Sequence, residues 1–308
     1  MRRLIITMLV SVLTATLVQA GSAAGGPPCL VSKERSGPPA RSLQAGVDAA
    51  AAGDTLIVRG TCIGTATITK DLTLRGVSSG PFVATLDGNG VGPVLSVTGT
   101  VVVAIDNLLV TNGTTGIAES FGGTLTVSHS TVSGNSGRGV LVHQDSTLTL
   151  DNSTVSANED GGIASDNGSI LTLNGSSVSG NTSSGGAGIF AFNGGGGTVT
   201  LNNSTVSGNT ATQSGGGGGM FFFFGTVTLN DSSINGNTAI AGNGGGVVDI
   251  EGTAFILNGT STVNDNVAGL NGGGIYVVKI SLGTLVNCIS GVNVAGNSPD
   301  NIFVHLFP

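Results

Sequence analysis

Charge is scarce in this sequence. Only 9% of its 308 residues are Asp, Glu, Lys or Arg, with ten basic residues against seventeen acidic ones and a formal net charge of -7. So few cations leave nothing to hold a phosphate backbone, which argues against nucleic acid as a partner on electrostatic grounds. Long apolar runs are missing beyond the first twenty residues: no later segment offers eighteen uninterrupted apolar residues, so no membrane span is expected. Cysteine is limited to three residues, and the "GGPP" before Cys29 lacks the leucine and small residues that precede a lipidated bacterial cysteine. No metal or cofactor is expected.

What is present begins with a leader. Arg2 and Arg3 precede an apolar run from Leu4 to Val18 and the small-residue end Val18-Gln19-Ala20, the order of a secretory signal peptide over residues 1–24 with cleavage near Ala20 or Ala24. A secreted or cell-surface protein is expected, with one folded domain over residues 27–308. Fifty-four glycines with much Asn, Ser and Thr suggest disorder, but 39% hydrophobic residues in regular places supply a buried face.

That regularity is a repeat. The asparagines ending each "SGN"-like element, Asn112, Asn135, Asn158, Asn181, Asn209, Asn237, Asn266 and Asn297, are spaced by 23, 23, 23, 28, 28, 29 and 31 residues. One coil therefore takes about 23 residues, and the later coils carry glycine-rich insertions. Within each unit apolar residues stand at period two, as in Leu125/Val127, Leu148/Leu150 and Val199/Leu201, with Thr and Ser between them; this is a strand with one buried face. A second short strand centres on Val132, Val155, Val178, Val206 and Ile234, and a third is led by Ile117, Val140, Ile163, Ile189, Met220, Val247 and Ile275. Three short strands per coil predict an all-β fold, a single right-handed parallel β-helix. Coils stacked at roughly 4.8 Å turn equivalent residues into ladders, and the asparagine series is expected to form one, with Asn also supplying the left-handed backbone that a tight turn needs. The "N-x-S/T" sequences are by-products of the same pattern.

Solenoid ends need caps. "RSLQAGVDAAAAGD" predicts a capping helix with Ser42 as N-cap, Leu43, Val47, Ala50 and Ala51 on one face and Gly53 as the stop. The cap is set at residues 27–60, the coils at 61–297, and the tail "SPDNIFVHLFP", residues 298–308, is expected to cover the far end with Ile302, Phe303, Leu306 and Phe307. Cys29 and Cys62 bracket the N-terminal cap and are expected to pair, leaving Cys288 as a buried free thiol. "SLQAGVDAAAAGDTLIVRGTCIGTATITKDLTLRG" resembles the cap and first coils of right-handed parallel β-helix proteins of the pectate-lyase-like superfold. "GGAGIFAFNGGGGTVTLNNSTVSGNTA" is similar to repeats of the polymorphic outer membrane protein type. The resemblance implies the fold and leaves activity open, because this superfold hosts lyases, hydrolases, esterases and plain adhesins.

Chemistry is hard to find. The "NTD", paired "DD", His-Gly and "RIK" elements of a polygalacturonase-like site are absent, and "NED" at residues 158–160 lies in a turn. Asp145, Glu159, Asp160 and Asp166 stand where they could gather near Arg138, as lyases of this shape gather carboxylates on Ca²⁺, but match no family motif. Ser120, His143 and Asp166 are 23 residues apart and spell a Ser-His-Asp row on adjoining coils; lacking an oxyanion hole on an open face, the row reads as a solvated polar stripe, and no catalytic residue is assigned. Farther along, Phe190, Phe192, Phe221, Phe223 and Tyr276 either face outward as a platform for sugar rings or, if register slips by one as Asp249 suggests, fill the core. Outward threonines, Thr124/Thr126, Thr147/Thr149, Thr198/Thr200 and Thr226/Thr228, resemble the flat arrays of ice-binding solenoids, though the row breaks at Ile170 and Ile256. The sequence therefore predicts an exported, non-catalytic, monomeric binding or adhesion module with a polysaccharide or cell-surface glycan as ligand. A polysaccharide lyase or glycoside hydrolase is the alternative, an ice-binding solenoid the lesser one.

Overall fold

Apolar residues alternating with threonine bury one face of each strand, and the chain repeats that strand until the faces join into a core. The computed structural model describes residues 27–34, 38–192, 197–252, 254–279, 289–290 and 294–306; the leader, Cys288 and Phe307 lie outside the described residues. In the first sheet Thr124–Ser128, Thr147–Asp151, Ile170–Asn174, Thr198–Asn202, Thr226–Asn230 and Ala254–Asn258 run parallel, each paired with the next coil. Leu125, Leu148, Leu171, Val199, Val227 and Phe255 form one inward row, all buried. A second sheet stacks Thr131–Ser133, Thr154–Ser156, Ser177–Ser179, Thr205–Ser207 and Ser233–Asn235. The third stacks Thr115–Ser120, Val140–Val142, Ile163–Asp166, Ile189–Phe192, Met220–Phe223, Val247–Ile250 and Ile275–Lys279. Among the described residues the three sheets hold eleven, ten and ten strands around one continuous apolar core.

The later coils carry more than three strands. Thr182–Ser183, Thr210–Ala211, Thr238–Ala239 and Val267–Ala268 pair in a fourth, parallel ribbon, with Ala187, Ala211 and Ala239 in a small cluster of their own. Inserted residues still need partners for their amides and carbonyls, and the same residues of the neighbouring coil supply them. The glycine before each third strand has a separate reason: a Cβ on Gly188 would stand 2.3 Å from the carbonyl oxygen of Gly219, and one on Gly219 2.6 Å from that of Gly246.

The asparagine ladder runs from Asn135 to Asn297. Each side-chain amide donates to the Oδ1 of the next asparagine at 2.8–3.0 Å, and each Oδ1 also accepts the previous backbone N–H. From Asn158 onward the second amide proton reaches a strand carbonyl, as in Asn209 to Val178. Asn112, expected in this series, stands outside it. Val110 pairs with Val132, a 22-residue step, so Gly113 aligns with Asn135 and donates its N–H to it. Asn112 is instead exposed, with φ of 56°, and bonds Asp87. The left-handed backbone expected of the ladder asparagines falls one residue earlier, on Gly134, Ala157, Gly180, Gly208, Gly236, Asp265 and Gly296; the ladder asparagines serve through their amides.

Two further ladders flank the first sheet. Asn174, Asn202, Asn230 and Asn258 each donate to the residue one coil back, ending on Asp151. Ser130, Ser153, Ser176, Ser204, Ser232 and Ser261 form a buried series in which each backbone N–H meets the next hydroxyl. Both sets repeat at the coil period, the asparagines closing the first-sheet strands and the serines standing just beyond them.

At the N-terminal end the helix Leu43–Ala49 is capped by Ser42, whose hydroxyl accepts from the Ala45 N–H, and its far end is closed by Lys70 Nζ donating to the Val47 and Ala50 carbonyls. Leu43, Val47 and Ala50 are buried, whereas Ala51 is exposed beyond the helix. Leu30–Lys33 pairs antiparallel with Asp54–Arg59 and covers the sheet edge; Asp54–Arg59 is already a coil strand, paired with Leu72–Gly76, inside the segment assigned to the cap. A disulfide joins Cys29 and Cys62, 33 residues apart. On the chain-entropy account a loop of that length stabilises by about 3–4 kcal/mol. At the other end Ile302–Leu306 adds one more rung to the third sheet instead of folding across it, and Ile302 and Val304 remain exposed.

Candidate functional site

The outer face of the third sheet is where side-chain chemistry varies from coil to coil. Two outward rows run along it. One reads Ala118, Leu141, Ala164, Phe190, Phe221, Val248, Tyr276 and Phe303, the other continues Ser120, His143 and Asp166 with Phe192, Phe223, Ile250, Val278 and His305. The register does not slip: Phe222 and Asp249 occupy the inward row, both fully buried, and the flanking rings face out. The buried Asp249 is met by the Gly252 N–H at 2.8 Å, so a carboxylate inside the core does not require the strand to shift.

The rings are paired. Phe190 stacks on Phe221 at 5.2 Å between centroids, Phe192 on Phe223 at 5.0 Å, and Tyr276 on Phe303 at 5.6 Å. Phe192 is 43% exposed, and the other four rings among the sequence candidates are half-buried. Phe224, which the sequence reading passed over, packs edge-on against Phe223 and is also exposed.

On the polar half, His143 Nδ1 lies 2.5 Å from Asp166 Oδ2, and Asp166 Oδ1 accepts the Gln144 N–H. A carboxylate only accepts, so Nδ1 carries the proton. Ser120 stands on the adjoining rung, but its hydroxyl makes no hydrogen bond to His143 among the described residues. Two hollows of about 300 and 250 Å³ meet at His143 and Asp166, one lined also by Ser120, Phe121, Gln144 and Asn167, the other by Arg138, Leu141, Ala164, Ser165 and Phe190. Arg138 lies over the Phe190 ring at 5.5 Å and 3.6 Å from Asp160. Of the four carboxylates expected around it, Asp160 pairs with it and Asp166 shares its hollow; Asp145 and Glu159 point elsewhere, both exposed. Among the described residues no group of His, Cys, Asp or Glu is disposed to hold a metal ion.

Beneath His143 lies a group that sequence reasoning missed. Glu119 is on the inward row between Val97 and Val142, fully buried. Its Oε1 accepts the Gly123 N–H at 3.0 Å, while Oε2 has no hydrogen-bond partner among the described residues. Burial pushes its carboxyl above the ordinary range, against smaller opposing contributions from hydrogen bonds and His143. A raised folded-state value contributes stability in full below the unfolded value and loses it as pH climbs through the folded one. Glu119→Gln should therefore raise the thermal midpoint at pH 8 and leave it unchanged at pH 4, as scanning calorimetry at the two pH values would register; an equal shift at both would remove ionisation as the cause.

An all-β solenoid with one chemically varied face is the class these features define. Residues 83–223 match the family model described as the right handed beta helix region, and the chain is a right-handed parallel β-helix, the fold of the pectate-lyase-like kind, with a single helix among the described residues. No curated protein sequence and no solved structure matches the chain. No helix among the described residues is long and apolar enough to cross a membrane.

Proposed function

We propose that this protein is an exported binding or adhesion module whose third-sheet face takes carbohydrate. The carrying observation is the outward set of rings, Phe190, Phe192, Phe221, Phe223 and Tyr276, beside the polar hollows at His143 and Asp166. Rings with an apolar face next to hydroxyl-reading groups suit a sugar, which has both characters. The leader over residues 1–24 supports export. The His143–Asp166 pair keeps a polysaccharide-cleaving enzyme as the second reading, and the outward threonines of the first sheet, interrupted at Ile170 and Ile256, leave ice binding a lesser one.

A glycan array combined with reducing-sugar release on the same polysaccharides is the test. Binding without release is the expected result. Release that His143→Ala or Asp166→Ala abolishes would replace this reading with the enzymatic one, and thermal hysteresis without glycan binding would replace it with the ice-binding one.

A further inference from the structure

The rings do not all offer the same thing to a ligand. At 5.0–5.2 Å between centroids, with planes 2–11° apart, two phenyl rings cannot lie edge to edge, because their carbons would fall well inside the roughly 3.5–4.0 Å of van der Waals contact. They must stack face on face along the helix axis. Each ring therefore covers one face of its neighbour, and the outer faces lie at the two ends of a stack, against Val248 and Ile250 on the far side and against Ala164 and Asp166 on the near side.

Both stacks begin at one coil. Phe190 and Phe192 are its outward residues, and their register partners in the preceding coil are Ala164 and Asp166. Behind each ring lies a second, Phe221 and Phe223, so the open faces look back over Ala164 and Asp166 from a rigid wall. The face of Phe190 is occupied by the Arg138 guanidinium. That of Phe192 carries no ring or cation contact among the described residues. Ala164, small and buried, leaves a notch one rung wide between Leu141 and Phe190.

We infer that this notch is the carbohydrate subsite and that it takes one neutral sugar ring, seated over Ala164 beside Phe190 and Arg138 with its hydroxyls on Asp166 and His143; this rests on the carbohydrate reading above. Each oxygen of Asp166 has one partner and keeps accepting capacity, so the notch presents acceptors to a ring rich in O–H donors. Hollows of about 250 and 300 Å³ sit at the bottom of the roughly 300–1,000 Å³ typical of ligand sites and suit one sugar unit at a time. Neutrality follows from charge: Arg138, the cation lining the notch, is shared with Asp160, and Asp166 repels a sugar carboxylate.

The experiment is calorimetric titration of the whole protein with cellohexaose, mannohexaose, chitohexaose and hexagalacturonate. Ala164→Phe continues the Phe190–Phe221 stack by one rung and fills the notch. It is expected to weaken binding of the neutral hexasaccharide that the parent binds by tenfold or more with the melting temperature unchanged, while Ile63→Ala, exposed on the second sheet, leaves affinity within twofold. Asp166→Ala, at a half-exposed position, should give the same loss and serves where Ala164→Phe melts early. Retained affinity in both notch variants overturns the notch and leaves the carbohydrate reading standing. Tighter binding of hexagalacturonate overturns the assignment to neutral sugars. No heat from any of the four at millimolar concentration overturns the notch, and an empty glycan array beside it the wider reading as well.

Discussion

Asn209→Ala lowers stability by about 3–5 kcal/mol, whereas Asn112→Ala lowers it by less than about 1 kcal/mol. Asn209 is fully buried, and its amide donates to the Val178 carbonyl and to Asn237 Oδ1 while its Oδ1 accepts both the backbone N–H and the amide of Asn181. Removing it strands several buried polar groups where water does not reach, at about 1–3 kcal/mol for each group left unpaired. Asn112 is exposed and water replaces what it loses. Because coils interact with their neighbours alone, the damage should be local: amide exchange of Asn181, whose N–H loses its acceptor, should accelerate far more than that of Leu74 in the first coils. A mild Asn209→Ala phenotype, or exchange that quickens evenly along the chain, would contradict the ladder's energetic role.

Phe222→Ala is expected to cost about 3–5 kcal/mol, the range for a large aromatic removed from a core, and Phe221→Ala, its neighbour on the same strand, well under half of that. Phe222 is fully buried and stacks on the equally buried Phe255 at 6.0 Å; Phe221 faces out, half-buried, against Phe190. Thermal melts of the two variants side by side measure the difference. Should Phe221→Ala melt as early as Phe222→Ala, the outward ring would be structural and unsuited to a ligand platform.

How much of this was legible varies by residue. The coil period and the alternation of Leu125/Val127 with threonine determined the fold, because a strand with one apolar face repeated every 23 residues has few ways to bury it except by stacking parallel coils. Ser42 and the apolar stripe after it placed the capping helix for a similarly local reason. What the sequence did not decide lies where one residue changes the outcome. Asn112 carries the ladder's motif, yet a 22-residue step puts Gly113 in line, and the shortening shows only when Val110 is seen to pair with Val132. The fourth ribbon formed because inserted backbone groups found partners in the next coil, a contact with no side-chain signature. Asp249 pointed to a register slip, and the structure instead buries its carboxylate with a hydrogen bond from Gly252. The direction of the rings, the open face of Phe192 and the notch at Ala164 were likewise set by tertiary structure. A period of two says that neighbouring side chains face opposite ways; which way is inward, and which ring ends a stack, depends on what lies on the coils above and below.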